Sequence, residues 1–485
     1  MHNTPSKTAS SKSSFYEKAV RYILDSDASS DQSEEEIYLL GLSYDGSRTS
    51  TEPEQPQWPA QFYSDFRSRI WCTYRKDFEP IQGGGSQQWT SDTGWGCMIR
   101  TGQSLLANSL QTVHVGRDWR RTTSPPRASF FLPTPNSSPK NTHRRKPSIP
   151  SPPSLAPTED TEDHATYVRL LTWFFDSPKA PFSIHRLCLS GQELGTHVGE
   201  WFGPSVAAHA IASAVKSYPA CGLGVSLAVD GVFYQSSIFE ASNPAENDGI
   251  CSWGARPVLL LLGLRLGLDG VNPIYFSTIK QLLSWPQSAG IAGGRPSSSL
   301  YFVGSQGDNL FYLDPHHTRS AIPLRSDTMD PVAQSHATAT AYSPTELHSY
   351  HCDKVRKMPI SSLDPSMLVG FLVQDGQSWT DFRRRVSELP RAIFSVQDEP
   401  PAWPTGDLSG DEDDGLALES VTSTSSQDAV NPNSDTSSSN PLSSKDTPSN
   451  SKARSSFIME GLRNKLRSFG RSRTSLSMGE GEPSK

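Results

Sequence analysis

Of the side chains in this sequence able to act as nucleophiles, one thiol is set apart by its surroundings. In SDTGWGCMIRTGQSLLANSL a glycine-rich turn delivers Cys97 to the start of a segment whose apolar positions, Met98, Leu105, Leu106 and Leu110, suit a helix. At a helix N-terminus the unpaired N–H groups and the macrodipole favour thiolate over thiol, so the nucleophilic form is stabilised before any base is considered. Gly94 and Gly96 leave room for a substrate backbone to approach the sulfur. The other cysteines, at 72, 188, 221, 251 and 352, lack such a turn and read as small buried hydrophobes.

A thiolate enzyme needs a base, and NLFYLDPHHTR offers one at the end of an expected strand. Residues two apart in an extended chain share a face, so Asp314 can orient the imidazole of His316 while His317 points away. Pro315 stiffens the pair and marks a strand end or edge. Taken alone, the same residues also suit a surface turn with incidental histidines. A metal site reads poorly here, because adjacent His316 and His317 diverge and no second ligand pair has recognisable spacing.

These residues need elements to hold them. Helical spacing is expected in FYEKAVRYILD behind the N-cap Ser14, in YVRLLTWFFD, in VAAHAIASAVKSY and in QSWTDFRRRVSEL. IYLLGLSYDG reads as a buried strand and turn, and further strands are expected in GLGVSLAVDGVFY, RPVLLLLGLRLG, SLYFVGSQGDNLFYLD and MLVGFLVQDG. Helices early and strands late predict an α/β domain of the α+β, papain-like kind over 14–395, after a disordered N-terminus at 1–13. Pro, Ser and basic residues at 120–165 read as a disordered insertion, 319–348 as a polar loop, and 396–485 as a disordered tail. Within that tail, 457–471 has the pattern of a basic amphipathic helix suited to an anionic membrane surface, or of a largely unfolded basic patch.

Bulk properties narrow the function classes. Lys and Arg number 44 against 51 Asp and Glu, a net charge of -7, so no basic field advertises nucleic-acid binding. Six scattered cysteines with no CxxC spacing do not make a disulfide framework, and neither a signal peptide nor a membrane span is evident. A reducing compartment, the cytosol, is the expectation.

Seven segments in order, SRIWCTYRKDF, SDTGWGCMIRTGQ, EWFGPS, RPVLLLLGLRLG, GGRPSSSLYFVG, LDPHHT and LDPSMLVGF, resemble the autophagy cysteine proteases, the autophagin family, from about residue 36 to 389. The resemblance implies a papain-like fold and a thiol hydrolase without metal or organic cofactor. It also implies a partner: a ubiquitin-like autophagy modifier, cleaved after its C-terminal glycine and, in its lipidated form, released from phosphatidylethanolamine. By the same resemblance Cys97, His316 and Asp314 match the nucleophile, base and acid, and Tyr74 the tyrosine that stabilises the oxyanion. Trp201 matches the tryptophan covering the active-site groove, and Gly293, Gly294, Arg295 and Pro296 the mobile loop opposing it. A cytoplasmic enzyme is implied, recruited to pre-autophagosomal structures in transient contact with autophagic membranes, with the nucleus as an additional compartment. Two departures stand out: Tyr38 where relatives often carry Trp, and the length of 120–165. No aromatic-x-x-aliphatic docking motif occurs in 1–36, 120–165 or 396–485. The rivals are a catalytically inactive modifier-binding scaffold and a general papain-like peptidase.

Overall fold

The computed structural model describes residues 33–47, 58–82, 88–121, 159–243, 252–294, 298–325 and 335–401. The expected helix after Ser14, the basic helix at 457–471, Cys251, Arg295 and Pro296 lie outside these residues.

The first part is mostly helical. Strands β1 (Ile37–Leu39) and β2 (Leu42–Tyr44) precede α1 (Ala60–Ser68), β3 (Arg75–Ile81), β4 (Trp89–Ser91) and the long α2 (Cys97–Val115). Then come α3 (Glu159–Thr172), α4 (Ile184–Glu193) and α5 (Pro204–Lys216). Strands dominate from there: β5 (Gly224–Leu227), β6 (Val232–Tyr234), α6 (Gln235–Ser242), β7 (Val258–Arg265), α7 (Phe276–Ser284), β8 (Ser288–Gly293), β9 (Leu300–Gln306), β10 (Asn309–Leu313) and β11 (Arg319–Ser320). The short α8 (Ser335–Ala339) and α9 (Pro344–His348) lead to β12 (Arg356–Pro359), β13 (Ser366–Val373), α10 (Gly376–Ser387) and β14 (Ser395–Gln397). This is the expected mixed architecture of a papain-like domain.

The main sheet runs β12-β10-β9-β8-β13-β7-β5, with β1 on β9 and β2 on β1. Its central strands are apolar on both faces, so they read as continuous hydrophobic runs. Alternation still sorts them: Leu259, Leu261, Leu368 and Leu372 join the core on the α2 side, while Val258, Leu260, Leu262, Val369, Phe371 and Val373 join the other. Helix α2 lies close against β13 because residue 370 is glycine; a Cβ there would come 2.8 Å from Leu105 Cδ2. Strand β3 belongs to a small second sheet, flanked by β11 and β4.

Several expected boundaries move. The IYLLGLSYDG run is a hairpin rather than one strand, because Leu40 and Gly41 take φ of 42° and 81°, the left-handed pair of a tight reversing turn. Helix α3 starts at Glu159, inside the stretch expected to be a disordered insertion, and ends at Thr172 rather than running through Asp176. The sequence at its start, EDTED, looks like solvated loop in composition. The polar stretch 319–348 contributes β11, α8 and α9. Strand β14 pairs in parallel with β6 across the expected start of the tail at 396.

Candidate active site

Cys97 is the first residue of α2 and is fully buried. The turn before it is built on Asp92, whose carbonyl accepts the N–H groups of Trp95 (3.2 Å) and Gly96 (2.9 Å). Gly94 has φ 92°, and a Cβ on Gly96 would come 2.4 Å from Asp92 Oδ2, so both glycines are required by this turn. Arg100, on the first turn of α2, clamps the Asp92 carboxylate with Nε (2.8 Å) and Nη2 (3.1 Å) and reaches Asp176 with Nη1 (2.7 Å). All three side chains are fully buried. This ion triad joins the turn, the helix and the connection after α3 into one rigid unit, a feature with no signal in the sequence.

Tyr74 is brought alongside by polar groups of the same helix. Asn108 exchanges hydrogen bonds with the backbone of Ile70, accepting at 3.0 Å and donating at 2.9 Å, and Ser104 Oγ accepts the Cys72 N–H at 2.9 Å. The extended segment 70–74 is thereby laid along α2. Its end is tied to the strand half of the domain: the Tyr74 N–H donates to Pro315 O (2.9 Å) and the Arg319 N–H to Tyr74 O (3.0 Å), the start of the parallel β3–β11 pairing.

Beyond β10 the Asp-Pro-His-His turn folds back on itself. Asp314 Oδ1 accepts from both His316 N (3.0 Å) and His316 Nδ1 (2.6 Å), which fixes the tautomer and leaves Nε2 facing inward. The Trp71 indole N–H donates to Asp314 O at 2.8 Å. His317 packs its ring against Trp71, with centroids 5.3 Å apart, so the two histidines diverge. The rings of Tyr74 and His316 meet edge to face at 5.3 Å. His316 Nε2 and the Tyr74 hydroxyl are both buried without a nitrogen or oxygen partner. Their electrostatic partner is the Cys97 sulfur.

Burial alone would push the Cys97 thiol up, but His316, the Ser299 N–H and the Tyr74 hydroxyl outweigh it and bring the thiol below its usual value. Burial works against His316 as well, yet the bonds to Asp314 and Cys97 raise its imidazole to about 10. Burial likewise opposes Asp314 ionisation, and His316 overrides it, holding the carboxyl down to about 2. In the buried Cys72, Cys188, Cys221 and Cys352 desolvation prevails and the thiols are raised, Cys72 to about 12. Among the described cysteines Cys97 is thus the one whose surroundings favour the thiolate.

The structure brings Cys97, His316, Asp314 and Tyr74 together. Trp201 is half-buried just before α5, its indole nitrogen enclosed without a hydrogen-bond partner. Gly293 ends β8, and Gly294, with φ 142°, donates its N–H to Ser366 O at 3.2 Å. Among the described residues no group of three or more His, Cys, Asp and Glu could hold a metal, and no helix is long and apolar enough to cross a membrane.

The peptidase C54 catalytic domain model matches residues 59–385, a span that contains every residue of this site. The chain belongs to the peptidase C54 family. It is a cysteine protease of that autophagin group, and its curated relatives carry the corresponding name. The cysteine protease ATG4 of Emericella nidulans is 36% identical, over 74% of this chain and 80% of that protein. The probable cysteine protease atg4 of Aspergillus niger is 38% identical, over 72% and 79%. A longer relative, the cysteine protease ATG4 of Cryptococcus neoformans, is 33% identical over 75% of this chain, which spans 45% of its length. For a C54 peptidase the Arg100 triad and the Ser299 N–H are parts of the site that motif reading missed, since both depend on contacts between distant segments.

Proposed function

We propose that this protease hydrolyses the bond after the C-terminal glycine of a ubiquitin-like autophagy modifier, in the precursor and in the phosphatidylethanolamine conjugate. The observation that carries the reading is the His316 imidazole beside buried Cys97, oriented by Asp314 at 2.6 Å. In the proposed reaction the thiolate attacks the glycyl carbonyl, a C–S bond forms, and charge moves to the oxygen. The Tyr74 hydroxyl and the Cys97 N–H receive that oxyanion, the first being a buried donor whose partner before the attack is the Cys97 sulfur. His316 gives its proton to the departing amine as the C–N bond breaks, and a thioester remains. Neutral His316 then takes a proton from water, which attacks the thioester and restores thiolate and imidazolium.

The leaving amine is a peptide in one substrate and a lipid headgroup in the other, and the same acid serves both. Trp201 as an aromatic wall suits a narrow channel that admits a thin glycine-containing tail. The free cysteines suit a reducing compartment, and the cytosol is the proposed location, with recruitment to autophagic membranes.

A modifier bearing a C-terminal electrophile should form a covalent adduct with the purified protein at Cys97, and the precursor should be cut after glycine. Labelling of a Cys97→Ser variant would defeat the assignment. Binding without turnover would favour the scaffold, and digestion of denatured casein the general peptidase.

A further inference from the structure

One group around the Cys97 sulfur comes from none of the nucleophile helix, the 70–74 segment and the Asp-Pro-His-His turn. Ser299 is fully buried and stands immediately before β9, at the end of the connection that leaves β8. That connection is closed at its base by the Gly293–Leu300 pairing of β8 with β9. The Ser299 side chain points into α2: its hydroxyl lies 2.9 Å from Thr101 Oγ1 and 3.7 Å from Met98 Sδ. Thr101 is one helical turn beyond Cys97, on the same side of the helix, and its own hydroxyl reaches back to Met98 O at 3.1 Å. The backbone N–H of Ser299 is among the groups that favour the Cys97 thiolate.

We propose that Ser299 is a positioning residue for the nucleophile: the Thr101–Ser299 hydroxyl pair locks the start of β9 to α2 and so holds the Ser299 N–H on the Cys97 thiolate. The side chain does not touch the sulfur. It fixes the backbone at the start of β9, which carries that N–H. Because both hydroxyls are buried, removing either leaves the other without its partner, and the two positions act as one unit. The proposal rests on the reading of Cys97 as nucleophile.

The test titrates Cys97 directly, by the pH dependence of its alkylation by iodoacetamide in the full-length protein, with thermal midpoints recorded for each variant. Ser299→Ala and Thr101→Val should each move the midpoint upward by about half a pH unit or more, through loss of a hydrogen bond to the charged form. The double variant should shift no further than either single one, and Thr101→Ser, which keeps the hydroxyl, should titrate like the parent. An unchanged midpoint in Ser299→Ala and Thr101→Val, or additive shifts, would overturn the proposal. A fall in thermal midpoint with the Cys97 titration unmoved would assign the pair to stability alone, and also overturns it. The readout needs no modifier, so failure to cleave the precursor bears on the substrate reading and not on this one.

Discussion

The environments of Cys97 and His316 favour opposite charges, with the thiol lowered and the imidazole raised. The thiol loses its proton below its usual range, and the imidazole keeps its proton until about 10. Activity should therefore rise on the acid side with Cys97 ionisation and fall on the alkaline side as His316 becomes neutral. Asp314→Asn removes the charge that holds the imidazolium, so the alkaline limb should move down from about 10. Turnover should fall by about 10⁴-fold, as when the orienting acid of a catalytic triad is neutralised. The Asp314 carboxyl is lowered from 3.8 to about 2, so its contribution to stability is present above 3.8 and fades as pH falls toward about 2. Acid unfolding of Asp314→Asn should lack that component, and pH-dependent denaturation measures it. The sequence was informative at this scale: a Gly-rich turn with a helix start singled out Cys97, and an i, i+2 relation paired Asp314 with His316. Tyr74 was legible only through resemblance, because its role depends on a parallel pairing with β11 that no local pattern encodes.

At the scale of elements, the turn 92–96 and α2 act together through Arg100. Replacing Arg100 by Met leaves the Asp92 and Asp176 carboxylates buried without their cation, which should cost about 3–5 kcal/mol, read from urea denaturation. A loss below about 1 kcal/mol would mean that the site relaxes around the missing charge. Burial of the three ionic groups was not visible in the sequence, where Asp92, Arg100 and Asp176 look like ordinary surface residues. Element types were more readable than their limits. The strands β7 and β13 follow from apolar runs buried on two faces, and α2, α5 and α10 from their periodicity. The β1–β2 hairpin and the start of α3 did not, since one is decided by the left-handed turn at Leu40 and Gly41 and the other lies in a stretch that looks like solvated loop in composition.

Across the whole domain, packing runs beyond the boundary that composition suggested. After α10 the chain returns to place Phe394 among Phe233, Phe371 and Phe382, with ring centroids 5.8, 5.7 and 6.2 Å away. Strand β14 then pairs with β6, and Ser236 N donates to Asp398 O at 3.1 Å. Phe394→Ala should lower unfolding stability by about 3–5 kcal/mol, the usual cost of emptying a core phenylalanine site. Cleavage of the precursor under native conditions should persist, because Phe394 belongs to the core on the far side of the sheet from α2. The helix-first, strand-later order that suggested the fold also separates the site along the chain. Cys97 and Tyr74 belong to the first third, while Asp314 and His316 arrive only with β10, and Tyr74 N–H meets Pro315 O once both are in place. During synthesis, then, Cys97 leaves the ribosome long before His316, and the four side chains meet only once the strand half has been made and docked. A fragment lacking the second half would carry Cys97 and Tyr74 without Asp314 and His316.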